Sequence, residues 1–210
     1  RFSKEALMNN NMEFVKENLR KIKYASNNGL ALVNDVLDIS ELENRKIPIE
    51  SHKYQPANLF KSLSSVVKLQ LKGKPIELRL NYDDSIPESL DGDSLRLKQI
   101  LSTLLDNAVD YTENGFIEFS MNSVIKYDVC RLIITVEDSG KGIPADQLIR
   151  LFDKGKEMIE NNQEIDDSQK NLALAKTLVD LIGGTITVSS EVGKGSKFTV
   201  VIDQQIYERN

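Results

Sequence analysis

The chain has 210 residues, a formal net charge of −5, 40% hydrophobic and 28% charged residues. That composition supports a packed core and excludes the basic footprint of a nucleic-acid binder. The single cysteine, Cys130, excludes an internal disulfide and fits a reducing compartment, and no apolar run approaches the roughly 18–20 residues of a membrane span.

Residues 3–45 hold no proline, and Val15, Leu19, Ile22, Ser26, Leu30, Val33 and Leu37 recur at spacings of three or four. This is a helical stripe. A rod of roughly 45 Å results, and it cannot bury that stripe alone: it needs a helical partner, either another segment or a second copy of the chain, and a homodimer through this segment is expected. Asn9-Asn10-Asn11 reads as a turn or cap ahead of the long helix.

Residues 47–50, with Pro48, read as a short edge strand. Pro56 opens a helix over 56–71, with Leu59, Phe60, Leu63, Val66, Val67 and Leu71 on its apolar face. Residues 76–80 alternate as a half-buried strand. The acidic stretch 83–93 reads as a loop, and Asp93 or Ser94 caps an amphipathic helix over 95–111. Strands over 116–124 and 131–137 form a hairpin. Cys130, at the edge of the second, reads as a buried, inert thiol.

A short helix is expected over 145–152. The polar stretch 153–170 reads as a mobile loop or lid. A helix over 172–182 ends at Gly183-Gly184, and strands 185–190 and 197–202 close a hairpin around Gly193-Lys-Gly195. The sum is α+β: a long helical dimerisation segment (1–46), then an α/β sandwich of a mixed sheet with one helix layer (47–210).

Three polar clusters lie beside apolar elements. In Val136-Glu-Asp-Ser-Gly-Lys-Gly-Ile143 a buried strand ends on Asp138, and a pliable Gly140/Gly142 loop follows. The carboxylate can accept from the amino group of a base, and the glycines leave room for its ring. Alone, the same pattern also suits an ordinary turn. In Leu105-Asp-Asn107-Ala-Val-Asp-Tyr-Thr, Asn107 offers a neutral oxygen to a hard cation and Tyr111 a flat face to a base. A helix with a polar outer side is the plain alternative. Gly193-Lys-Gly195-Ser196 either lines a pocket or merely joins strands.

The order and spacing of these clusters resemble the ATP-binding domain of sensor histidine kinases, the Bergerat-type fold shared with gyrase, the heat-shock chaperone of that class and the mismatch-repair ATPase. Leu105-Asp-Asn107-Ala-Val-Asp-Tyr-Thr is similar to the N box, Asp138-Ser-Gly-Lys-Gly-Ile to the G1 box, Leu151-Phe-Asp to the F box, and Gly193-Lys-Gly-Ser-Lys-Phe-Thr to the last glycine block. Leu32-Val-Asn-Asp-Val-Leu-Asp-Ile-Ser-Glu-Leu-Glu resembles the second helix of the dimerisation and phosphotransfer domain of hybrid-type kinases.

The resemblance implies ATP and Mg2+ as cofactors, with Asn107 as metal ligand. It implies that Asp138 binds the adenine amino group, that Tyr111 packs on the base, and that Gly140, Gly142 and Ile143 shape the base pocket. Phe152 would anchor the lid, and Leu174 and Thr199 would complete the nucleotide contacts. The implied activity is that of a protein-histidine kinase: transfer of the γ-phosphate to a histidine on the helical bundle, then to the receiver domain of a response regulator. The region itself is expected in the cytoplasm. Arg1 is not a natural start, so flanks holding sensors or a membrane anchor are expected too.

Four departures stand beside the resemblance. The sole histidine, His52, follows the helical segment and is not placed as a phosphoacceptor; it reads as a solvent-facing linker residue. Asn171 and Ala173 stand where the lid's glycines are usual, which restricts φ and adds a Cβ. Thr103 replaces an asparagine, and as a poor general base it weighs against an ATP hydrolase. Asp110 replaces a lysine and would repel phosphate. The expectations are therefore a working sensor kinase or, alternatively, a degenerate kinase that acts as a signalling scaffold with a weak ATP site.

Overall fold

The structure, a computed structural model, describes residues 49–148, 151–152 and 167–207. The helical segment expected at 3–45 lies outside the described residues. The chain order is β1 (His52–Tyr54), α1 (Pro56–Gln70), β2 (Ile76–Tyr82), β3 (Leu90–Gly92), α2 (Ser94–Tyr111), β4 (Gly115–Lys126), β5 (Val129–Asp138), α3 (Ala145–Leu148), α4 (Asp167–Leu181), β6 (Thr185–Glu191) and β7 (Gly195–Ile206).

The strands make one mixed sheet ordered β1-β3-β7-β5-β4-β2, with β6 beside the first half of β7. Among the described strands only β2 and β4 pair in parallel; β1–β3, β3–β7, β4–β5, β5–β7 and β6–β7 are antiparallel. Three helices cover one face: α1 against β2, α2 against β4 and β5, and α4 against β6. This is the expected α/β sandwich.

Alternation along β5 produces that layering. Cys130, Leu132, Ile134, Val136 and Asp138 are buried, and the residues between them are not. Successive side chains of a strand point to opposite faces, so the first set meets the helices. From the helix side, Leu97, Ile100 and Leu101 of α2 meet Ile117, Phe119 and Met121 of β4, all fully buried. Phe60 of α1 stacks on Phe119, ring centroids 4.4 Å apart. The Asp93 carboxylate accepts from the Arg96 amide at 3.0 Å and so caps α2. Gly183, at φ +75°, ends α4.

Four boundaries differ from expectation. The first described strand is His52–Tyr54, with Ile49 and Glu50 outside it and 47–48 outside the described residues, so His52 is an exposed strand residue, its Nε2 3.3 Å from Glu50. Its partner β3 lies inside the stretch expected to be loop; Leu90 is fully buried there. At Gly92 a Cβ would lie 2.5 Å from the Gln204 side chain. Strands of three residues are too short to show alternation. The helix expected at 145–152 is α3, which stops at Leu148, with Leu151 in a following turn. Finally, α4 is described from Asp167 onward, so 167–170 is helix and not lid; 153–166 lie outside the described residues. No helix among the described residues is long and apolar enough to cross a membrane.

Candidate functional site

The last turn of α2 and the end of β5 meet at one end of the sandwich. Asn107 and Tyr111 are four residues apart on α2 and therefore share a face. Asp138 ends the buried row of β5, in register with Ile117 of β4 and Ser196 of β7. The alternation that buries Val136 also turns the Asp138 carboxylate toward the helix side, where the helix layer leaves a cavity in place of apolar packing.

Loop 139–143 is laced between two neighbours. Lys141 donates its amide to the Tyr111 carbonyl at 3.3 Å, and its own carbonyl accepts from Gly193 at 2.8 Å. Ile143 donates its amide to the Ser190 hydroxyl at 2.8 Å. The glycines are dictated by close approach. A Cβ on Gly140 would lie 2.2 Å from the Tyr111 carbonyl oxygen; on Gly142, at φ +68°, 2.1 Å from that of Glu191; on Gly195, at φ +108°, 1.9 Å from that of Asp138. Backbone packs on backbone at all three, which only glycine permits.

The resulting cavity has a volume of about 360 Å³, within the range of small-ligand sites. Asn107, Tyr111, Asp138, Lys141, Gly142 and Ile143 line it, with Pro144, Gln147, Leu151, Leu172, Val192, Ser196 and Phe198. The wall is mainly apolar with few polar groups. Asp138, 6% exposed, accepts from the Gly140 amide at 2.9 Å and from the Ser196 backbone. Burial raises its carboxyl above the usual range, against the opposing pull of those two bonds. A buried carboxylate at the foot of an apolar cleft is suited to a ligand amino group. The Lys141 ammonium sits over the Tyr111 ring, 4.3 Å from its centroid.

Asn107 is 8% exposed, and its Nδ2 is buried without a hydrogen-bond partner. Buried amides are ordinarily satisfied; this nitrogen is closed to solvent, while the residue itself lines the cavity. The other amide atom, Oδ1, is of a type suited to a hard cation. Among the described residues no group of three or more acidic, histidine or cysteine side chains could hold a metal.

Of the residues singled out from sequence, Asn107, Tyr111, Asp138, Gly142 and Ile143 come together around the cavity. Gly140 lies behind them as a packing glycine. Three others are not among the residues that line the cavity. Leu174 is buried in α4, but Leu172 lines the cavity in its stead; two residues are about 200° apart around a helix. Thr199 is on the opposite face of β7 from Ser196 and Phe198, in a row with Asn81, Ser120, Thr135 and Thr187 on the open side of the sheet. Phe152 is half-buried and Leu151 takes its place in the wall. Ser196, of the cluster that either lines a pocket or joins strands, does line the cavity. Sequence reading gave no site role to Lys141 or Phe198; Phe198 carried a signal, since β7 alternates and its buried residues continue to this end. Cys130 is fully buried, which pushes its thiol up to about 11 and leaves it inert.

Residues 92–206 match the family described as histidine kinase-, DNA gyrase B-, and HSP90-like ATPase. Among curated proteins the chain is similar to the sensor histidine kinase RcsC of Escherichia coli K12, 32% identical over 82% of this chain and 18% of that protein. It is also similar to the sensory/regulatory protein RpfC of Xanthomonas campestris, 31% identical over 92% of this chain and 27% of that protein. The chain thus spans under a third of the length of these relatives. Among solved structures the fold is similar to full-length ShkA in complex with AMPPNP, with TM-score 0.71, 23% identity, and coverage of 95% of this chain and 40% of that one. It is likewise similar to the Acinetobacter baumannii histidine kinase AdeS, with TM-score 0.62, 21% identity, and coverage of 95% of this chain and 87% of that one.

Proposed function

The chain belongs to the histidine kinase-, DNA gyrase B- and HSP90-like ATPase family, and from that premise we propose that residues 47–210 are the ATP-binding catalytic region of a two-component sensor histidine kinase. The observation that carries this reading is the cavity itself, where the Asp138 carboxylate and the unpartnered Asn107 amide line one apolar-walled space. Asp138 accepts from the exocyclic amino group of adenine. Tyr111, Ile143 and Leu172 bound the ring. Asn107 holds Mg2+, which supplies neutralising charge beside the phosphates; the protein's own work is positioning, the main requirement of phosphoryl transfer. In the longer protein, the γ-phosphate passes to a histidine outside this chain, on a helical bundle to which residues 1–46 contribute a dimerisation helix. A response-regulator receiver domain then takes it, on the cytoplasmic side of any membrane anchor.

One observation favours a second reading, a signalling scaffold with a weak ATP site. Asn171 and Ala173 lie inside α4, where backbone N–H groups bond to carbonyls one turn earlier and do not face phosphate. Thermal unfolding with and without ATP or ADP plus Mg2+ separates the two. Millimolar nucleotide over a micromolar site stabilises by about 4 kcal/mol; no stabilisation refutes the kinase reading and leaves the scaffold.

A further inference from the structure

We propose that Lys141 is the cation that meets the ligand's phosphate groups in this cavity, a role that the last turn of α2 cannot fill; the inference rests on the ATP-binding reading above. Among the described residues lining the cavity only Asp138 and Lys141 are charged, so Lys141 is the single positive charge there. The last turn of α2 carries no basic residue, and it does carry the exposed Asp110; Asp106, one turn earlier, accepts from Gln70 of α1 at 2.8 Å. Phosphates drawn toward Asn107 therefore approach acidic helix surface and need a cation from elsewhere.

The geometry suits Lys141 to supply it. Its backbone is tied on both sides, to the Tyr111 carbonyl and to the Gly193 amide, so the base of the side chain is fixed at the rim. Its ammonium makes no ion pair among the described residues and rests over the Tyr111 ring at 4.3 Å. A ring holds an exposed ammonium weakly, and a phosphate oxygen is the stronger partner. Asn107 is one helical turn from Tyr111, about 6 Å along α2, so the move from ring to phosphate is a swing of the stem with no change of backbone. Base packing and phosphate contact are thereby coupled: a base that takes the Tyr111 face releases the cation toward the phosphates carried by that same base.

The test is calorimetric titration of the 210-residue chain and its Lys141→Met and Lys141→Arg variants with Mg-ATP and with adenosine, each at low and high salt. Met keeps an unbranched stem and removes the charge. The expected result is an ATP affinity about tenfold weaker in Lys141→Met, the size of one lost charge-assisted contact. Adenosine affinity stays unchanged or rises, ATP binding loses part of its salt dependence, and Lys141→Arg retains ATP. Equal losses for ATP and adenosine, or no loss for ATP, overturn the role of Lys141 while leaving the ATP site in place. A wild-type chain that binds neither ligand overturns both readings together.

Discussion

Replacing Asp138 by asparagine separates the cost of a buried carboxylate from its use. The side chain is 6% exposed and accepts from the Gly140 amide at 2.9 Å. An asparagine oxygen keeps that bond, the Ser196 backbone bond must then share the same oxygen, and the neutral amide escapes the desolvation that raises the carboxyl. Folding stability at neutral pH should therefore hold within about 1 kcal/mol or increase. Ligand binding behaves differently. The amide nitrogen is a donor aimed at the ligand's amino group, itself a donor, so a charge-assisted bond of about 1.5–3 kcal/mol is lost. That is about tenfold to a hundredfold in Kd. Calorimetry for ATP affinity, with urea unfolding for stability, measures both sides. The pH dependence has a definite sign. A carboxyl whose folded value is raised contributes stability below its unfolded value, near 4, and loses that contribution as pH rises through the folded value. Wild type should gain on Asp138→Asn as pH falls through this window, while its ATP affinity declines as the acceptor is protonated. A variant that keeps ATP affinity, or that unfolds at neutral pH, refutes this account of Asp138.

The remaining expectations concern other parts of the site and its frame. Asn107→Ala should weaken Mg-ATP binding by about tenfold with metal-free binding little changed, and should cost under about 1 kcal/mol of apo stability, because the lost Nδ2 has no partner; equal losses with and without Mg2+ would remove Asn107 as the cation ligand. Gly142→Ala should destabilise by at least about 2 kcal/mol in urea, from φ +68° and a Cβ 2.1 Å from the Glu191 carbonyl oxygen; an unchanged midpoint would mean that loop 139–143 repacks freely. Arg131→Ala breaks a two-pronged pair with Asp203 at 2.7 Å on the open face. Both partners are about half exposed, so the loss should be small and shrink in salt. A larger loss would show that the open face carries stability of its own.

What the sequence determined by itself was everything written as a local period or a local backbone demand. The stripe Leu97, Ile100, Leu101, Leu104 set the buried face of α2, and the alternation through Leu132, Ile134 and Val136 delivered Asp138 to the helix side. Gly142 and Gly195 marked a pliable loop and a turn, and only the structure shows the carbonyls of Glu191 and Asp138 pressed against them. These signals survive because each depends on residues a few positions apart. Lateral packing leaves no such trace. The strands at His52 and Leu90 exist only because each completes the other at the edge of β7. The choice of Leu172 over Leu174 follows from the rotation of α4, and the loss of Thr199 from the site follows from the face of β7 it occupies. The Lys141 ammonium reaches Tyr111 across a gap of 30 residues in sequence, and only the meeting of the β5 loop with the end of α2 could bring that charge to that ring.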